Sequence, residues 1–173
     1  GLSSFPEDIS QKTSVKAIVV IANIESGDRA IADGIIQQYL SNQPGNLAIF
    51  QTILESVGYF DGDRQSQTYE FAKEWLRQAV EQLPGDAGLR YQYAKLLATH
   101  NDYDLASEQF LVLQENDPTD VRCIRWLAQV HAWGHEYGAS LRWYDAYLRK
   151  RPSDFYLRRE VARVYGLALR PRE

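Results

Sequence analysis

His131 and His135 stand four residues apart, with Glu136 directly after them. On a helix that spacing puts both imidazoles on one face, where they could share a metal ion. The helical zinc motif needs a glutamate directly after its first histidine, and Ala132 stands there instead. No third ligand is in evident reach, so the pair reads as structural: His131 between helices, His135 at a turn. Asp61, Gly62 and Asp63 open like a calcium loop, yet Ser66 and Ala72 occupy the places of its required glycine and closing glutamate. That segment reads as a solvated loop. Cys123 falls early in a helix, where a thiol pKa can drop, but no histidine is placed to activate it. It reads as a small buried hydrophobe. The chain carries no phosphate-cradling glycine loop, no Gly-x-Ser-x-Gly elbow and no paired carboxylates in a recognisable setting. The sequence therefore predicts no catalytic residue, no metal and no cofactor.

What remains is recognition, and the elements that would position it. The 173 residues suffice for one domain with a substantial core, and 45% are hydrophobic. A single cysteine excludes an internal disulfide framework and leaves the compartment open. The longest apolar run, Ala17 to Ala22, suits a buried helix and is far too short for a membrane span. The chain opens on Gly1 and holds no methionine, which reads as a processed or excised polypeptide. Net charge is −4 and uneven. Residues 1–86 hold 6 basic against 12 acidic side chains, and residues 87–173 hold 13 against 11. The asymmetry points to a partner that meets the C-terminal half.

Four phrases punctuate the chain, beginning at Gln43, Leu83, Asp117 and Arg151. Each continues with a proline: Pro44, Pro84, Pro118 and Pro152, separated by 40, 34 and 34 residues. Proline stops a helix, and two residues later Asn46, Asp86, Asp120 or Asp154 can cap the next one. Between the phrases, apolar residues recur at helical spacing in two runs. Leu89, Tyr93, Leu96 and Leu97 form one run, and Tyr103, Ala106, Phe110 and Leu113 form the next. Small residues hold the same register. Ala94, Ala128 and Ala162 lie 34 apart, as do Ala72, Ala106 and Ser140, with Ala32 a further 40 earlier. Paired helices approach closely only where side chains are short.

This pattern resembles the tetratricopeptide repeat family. Its 34-residue helix–turn–helix has small residues at fixed places, an aromatic later in the second helix and a closing proline. Ala94, Ala106, Phe110 and Pro118 match in the third unit, and Ala128, Ser140, Tyr144 and Pro152 in the fourth. Tyr103 and Tyr137 match the aromatic that opens the second helix. Earlier matches cover the second helix of each unit: Gly27, Ala32, Ile36 and Pro44, then Tyr69, Ala72, Leu76 and Pro84. The chain departs from the family where Arg90, Ile124 and Arg158 replace its early tryptophan. It departs again where Val20 and Leu54 replace small residues, and the second unit carries six extra residues near Phe60–Gln67. The resemblance implies an all-α fold: a right-handed α-α superhelix, or solenoid, of four hairpins plus a terminal helix. Residues 1–12 read as an irregular lead. The units then span about 13–46, 47–86, 87–120 and 121–154, with the terminal helix over 155–169.

In such stacks the first helix of each unit lines the concave side. That implies a groove whose first part, Ser14, Ala17, Ile21 and Ile24, is apolar. Ala48, Gln51, Glu55 and Tyr59 follow, and Tyr91, Lys95, Ala98 and Thr99 come next. Further on the groove turns basic, with aromatic residues interleaved. Its partner-binding residues are Tyr91, Lys95, Arg122, Arg125, Gln129, Trp133, Tyr156, Arg159 and Arg163. Arginine forks bind carboxylates and aromatics add contact area. The same arginines would also serve as a solvated face paired with Asp120, Glu136 and Glu160. The expected function is a non-catalytic scaffold that binds a protein or peptide with an acidic segment. The alternative is a bacterial envelope assembly or polysaccharide-export module that binds an anionic polymer or a membrane complex. A sequence pI near 5.4 argues against nucleic acid. Exposed end faces would permit self-association. Cytoplasmic and periplasmic or envelope-associated settings both fit.

Overall fold

A computed structural model describes residues 9–42 and 67–169. Among them are eight α-helices and no strand. They are α1 (Ile9–Glu25), α2 (Arg29–Asn42), α3 (Gln67–Gln82), α4 (Ala87–Thr99), α5 (Tyr103–Asn116), α6 (Val121–Trp133), α7 (Tyr137–Lys150) and α8 (Phe155–Ala168). The chain divides into two compact units, Gly1–Leu83 and Pro84–Glu173. The expected first helix of the second repeat, its six-residue insertion, Ala48, Gln51, Glu55, Tyr59, and Asp61 with Asp63 lie outside the described residues.

In the C-terminal unit each helix packs on the one before it, from α4 through α8. The turns repeat as closely as the helices. After α4, the Asp102 N–H reaches back to the Leu97 carbonyl at 2.9 Å, and Asn101 takes φ +63°. After α6, 34 residues on, the Glu136 N–H bonds the His131 carbonyl at 2.8 Å, and His135 takes φ +63°. This is the left-handed C-terminal closure that satisfies orphan helix carbonyls. Asparagine and histidine are among the non-glycine residues that tolerate it best. The N-terminal unit closes α1 the same way, with Asp28 bonding the Asn23 carbonyl at 2.8 Å and Gly27 at φ +88°.

The turns between hairpins are pinned by caps. The Asp86 carboxylate accepts the Leu89 N–H at 3.0 Å, Asp120 accepts the Arg122 N–H at 2.8 Å, and Asp154 accepts the Leu157 N–H at 3.0 Å. Two arginines clamp the same turns. Arg90 donates to the Pro84 carbonyl at 3.2 Å, and Arg158 donates to the Pro152 carbonyl at 2.6 Å. Asp154 also accepts the Tyr147 hydroxyl at 3.1 Å. Asp154→Ala should therefore cost about 1–2 kcal/mol in a urea titration. The Leu157 N–H holds the Asp154 carboxyl below its usual range, and the Arg122 side chain does the same for Asp120. Their stabilisation is complete above the unfolded carboxylate pKa and is lost as pH falls through the lower folded one. Stability at pH 7 should thus exceed that at pH 3, and Asp154→Ala should narrow the gap.

The register of small residues is buried as its spacing requires. Ala32, Ala94, Ala106, Ala128 and Ser140 are fully buried, and Ala72 nearly so. Ser140 donates its hydroxyl to the Ala128 carbonyl at 2.8 Å, so α6 and α7 touch almost backbone to backbone. Ala162 holds the same place on α8 and is exposed, because no described helix follows to cover it. Phe155, Tyr156, Tyr165 and Leu169 are exposed beside it.

The N-terminal unit departs from expectation in two places. Helix α1 begins at Ile9, inside the stretch read as an irregular lead, since no glycine or proline interrupts the chain from there to Glu25. Ala17, Ile21 and Ile24, read as an apolar groove, are instead core, together with Val20. Lys16, Ile18, Val19 and Ala22 are exposed among the described side chains of α1. Within this unit α1 packs on both α2 and α3. Trp75 of α3 ties back to α2 by donating its indole N–H to Asp33 at 2.8 Å.

Candidate interaction face

The nine predicted partner-binding residues sit on α4, α6 and α8. Three of the basic ones have no ion-pair partner among the described residues. Among the described residues, Lys95, Arg125 and Arg159 make no hydrogen bond or ion pair through their side chains, and Arg125 and Arg159 are exposed. Arg122 is engaged. Its guanidinium donates to both oxygens of Asp120, at 3.0 Å and 2.8 Å, and lies 5.5 Å from the centre of the Tyr91 ring. Arg163 pairs with Glu160 at 3.1 Å on the same exposed helix face. Such surface pairs contribute little and exchange readily. Tyr156 is 86% exposed. Gln129 is half-buried and makes no side-chain hydrogen bond among the described residues.

The aromatic residues are packed more tightly than predicted. Tyr91 meets Phe110 edge-on at 5.9 Å, and Phe110 stacks on Trp126 at 5.4 Å. The Trp126 indole N–H donates to the Tyr91 hydroxyl at 2.9 Å. Trp133 lies edge-on to Trp126 at 6.1 Å and against Tyr103 at 6.1 Å. Trp133 therefore belongs to a packed aromatic ladder. It is half-buried there, and its role is to join α6 to the preceding hairpin. Trp126 was missed in the sequence, although its spacing of seven from Trp133 puts both on one helix face.

Tyr144 is the second residue that sequence reading passed over as a site. It holds the register of Phe110, 34 residues on, and is fully buried in the core with Ile124, Ala128, Leu157 and Val164. Its hydroxyl oxygen has no hydrogen-bond partner among the described residues. Burial pushes its pKa up and the Glu160 charge adds to this, while the Arg163 and Arg125 charges oppose it. Arg125 also acts on Tyr147 and Asp154.

The two histidines and the cysteine singled out in the sequence are engaged in packing and turns. His131 Nδ1 lies 2.6 Å from a Glu136 oxygen, and His135 Nδ1 lies 2.9 Å from the Tyr137 hydroxyl. Each histidine thereby holds the turn it flanks. No three His, Cys, Asp or Glu side chains gather at metal-binding range among the described residues. Cys123 is buried, which pushes its thiol up to about 12, and the nearby Asp120 charge acts in the same direction. A thiol so placed stays protonated and is a poor nucleophile. No helix among the described residues is long and apolar enough to cross a membrane. Neither a protein-family model nor a curated protein matches the chain.

Proposed function

We propose that the chain is a tetratricopeptide-like scaffold that holds a protein or peptide segment with an acidic portion. In this reading the hairpins stack into a right-handed superhelix, and α4, α6 and α8 line its concave side. The observation that carries the proposal is a set of three cations, Lys95, Arg125 and Arg159, one on each of those helices, whose side chains make no ion pair among the described residues. A solvated structural face would pair such charges with neighbouring carboxylates, as Arg122 and Arg163 do. Unpaired arginines keep their donor forks available for carboxylates. Tyr156 adds an exposed aromatic contact beside them.

Selection of random dodecapeptides displayed on phage tests this reading. Sequences rich in Asp and Glu should emerge. The Arg125→Glu, Arg159→Glu double variant, with unchanged helicity, should bind them at least about tenfold more weakly. Selection of neutral or basic peptides, or unchanged affinity in a folded double variant, would exclude the proposal.

A further inference from the structure

Helix α8 leaves large apolar side chains in the open. Phe155 is 68% exposed, Tyr165 55% and Leu169 83%. Their spacing sets Phe155 and Leu169 on the same side of the helix as Ala162 and Gly166. A Cβ built at Gly166 would meet nothing within 4 Å. The face is thus an apolar socket, open at two small residues and bordered by larger ones. One and two repeats earlier the matching residues are Ala128 with Ala132 and Ala94 with Ala98, and all four are buried. A contiguous apolar surface of this kind marks a place of contact, whereas a lone exposed leucine would not.

Charge selects what can cover it. Residues 149–163 hold six basic side chains against two acidic ones. Arg159 and Arg163 stand one turn apart along one edge of the socket, both exposed. Two copies of α8 laid against each other would bring like charges together. A helix with acidic side chains beside a protruding apolar residue suits the face, and this chain exposes one. Residues 101–120 hold six acidic side chains and no basic one. On α5, Asp104 and Glu108 are exposed, stand one turn apart, and make no ion pair or side-chain hydrogen bond among the described residues. Leu105, between them in the chain, is 41% exposed. The acidic pair has the same four-residue spacing as the basic pair on α8.

We propose that α8 of one copy docks on the exposed face of α5 of a second copy. Leu105 enters the socket at Ala162 and Gly166, and Phe155 and Leu169 close around it. Asp104 and Glu108 meet Arg159 and Arg163 at the edge. The two faces are unlike, so each copy keeps one free α8 and one free α5, and copies add head to tail. The apolar contact supplies the attraction, and the charges fix which faces meet. This goes beyond the peptide groove: Arg159 serves both, while Lys95 and Arg125 take no part in the contact between copies.

Sedimentation equilibrium of the whole chain tests the contact. Between about 10 μM and about 1 mM the average mass should rise from one chain toward two or more, and about 1 M NaCl should lower it again. Ala162→Leu fills the socket and should weaken association at least about tenfold at unchanged thermal stability. The charge reversals Arg159→Glu with Arg163→Glu, and separately Asp104→Arg with Glu108→Arg, should each leave a folded monomer. An equal mixture of those two double variants should associate again, because every α8 then finds an α5 of opposite charge. Arg125→Glu, on the peptide path, should leave association unchanged. A chain that stays monomeric throughout the range would overturn the contact. Association that survives the α5 reversal would place the second copy on another face and overturn it, as would a mixture that stays monomeric. Loss of association in Arg125→Glu would move the contact into the groove and overturn it too.

Discussion

Phe110→Ala should destabilise the C-terminal unit by about 3–5 kcal/mol, the largest single-residue effect expected in this protein. Phe110 is fully buried and closes the space between α4 and α6. Its loss removes the transfer free energy of a whole ring and leaves a cavity that Tyr91 and Trp126 only partly fill. The stacked contact with Trp126 at 5.4 Å and the edge contact with Tyr91 at 5.9 Å disappear as well. Aromatic pairs contribute about 0.5–1.5 kcal/mol beyond their burial. Domains of this kind are stable by only about 5–15 kcal/mol, so the variant should lose much of its margin. Urea unfolding followed by tryptophan fluorescence measures the effect. A loss under about 1 kcal/mol would show that the ladder does not hold α4, α5 and α6 together.

Ala128→Leu should cost about 2–4 kcal/mol, whereas Ala162→Leu, 34 residues later in the same register, should fall within about 0.5 kcal/mol of the parent. Ala128 is fully buried where α7 crosses α6, and its carbonyl accepts the Ser140 hydroxyl at 2.8 Å. A leucine there must push the helices apart, straining the packing and breaking that bond. At Ala162 no described helix stands opposite, so the added carbons meet solvent. The pair of variants separates the effect of helix approach from that of leucine itself. Equal costs at the two sites would contradict the packing described here.

The repeat was legible because each of its parts has a local cause. Prolines, capping aspartates and short side chains at 34-residue intervals specify stop, start and approach. The structure builds the capped turns at Asp86, Asp120 and Asp154 and buries the small residues at Ala94, Ala106, Ala128 and Ser140. The left-handed turn residues could have been read as well, since Asn101 and His135 are 34 apart and follow helical runs. What spacing could not specify is helix rotation. A shift of one residue turns a helix by about 100°, enough to exchange a groove position for a core position. Nor does spacing show that a helix is covered on two sides: α1 packs on both α2 and α3, and Ala17, Ile21 and Ile24, placed on a groove, lie in the core. The same rotation decides whether Trp133 faces outward or joins Trp126 in the ladder.

The candidate site was legible in part for the same reason. Exposed arginines on first helices follow from pattern alone, because charged side chains rarely face a core. Their pairing does not follow. Arg122 takes Asp120 and Arg163 takes Glu160, while Arg125 and Arg159 are left with no ion pair among the described residues. Tyr144 was readable as the conserved-spacing counterpart of Phe110 but not as an unsatisfied donor, since only three-dimensional packing shows which hydroxyl lacks a partner.

Amide hydrogen exchange with and without a selected acidic peptide tests the scaffold reading most directly. The account predicts slowed exchange in α4, α6 and α8, the helices that carry Lys95, Arg125 and Arg159, and no change in α5 and α7. Slowing confined to α5 and α7 would place the partner on the opposite helices and contradict it.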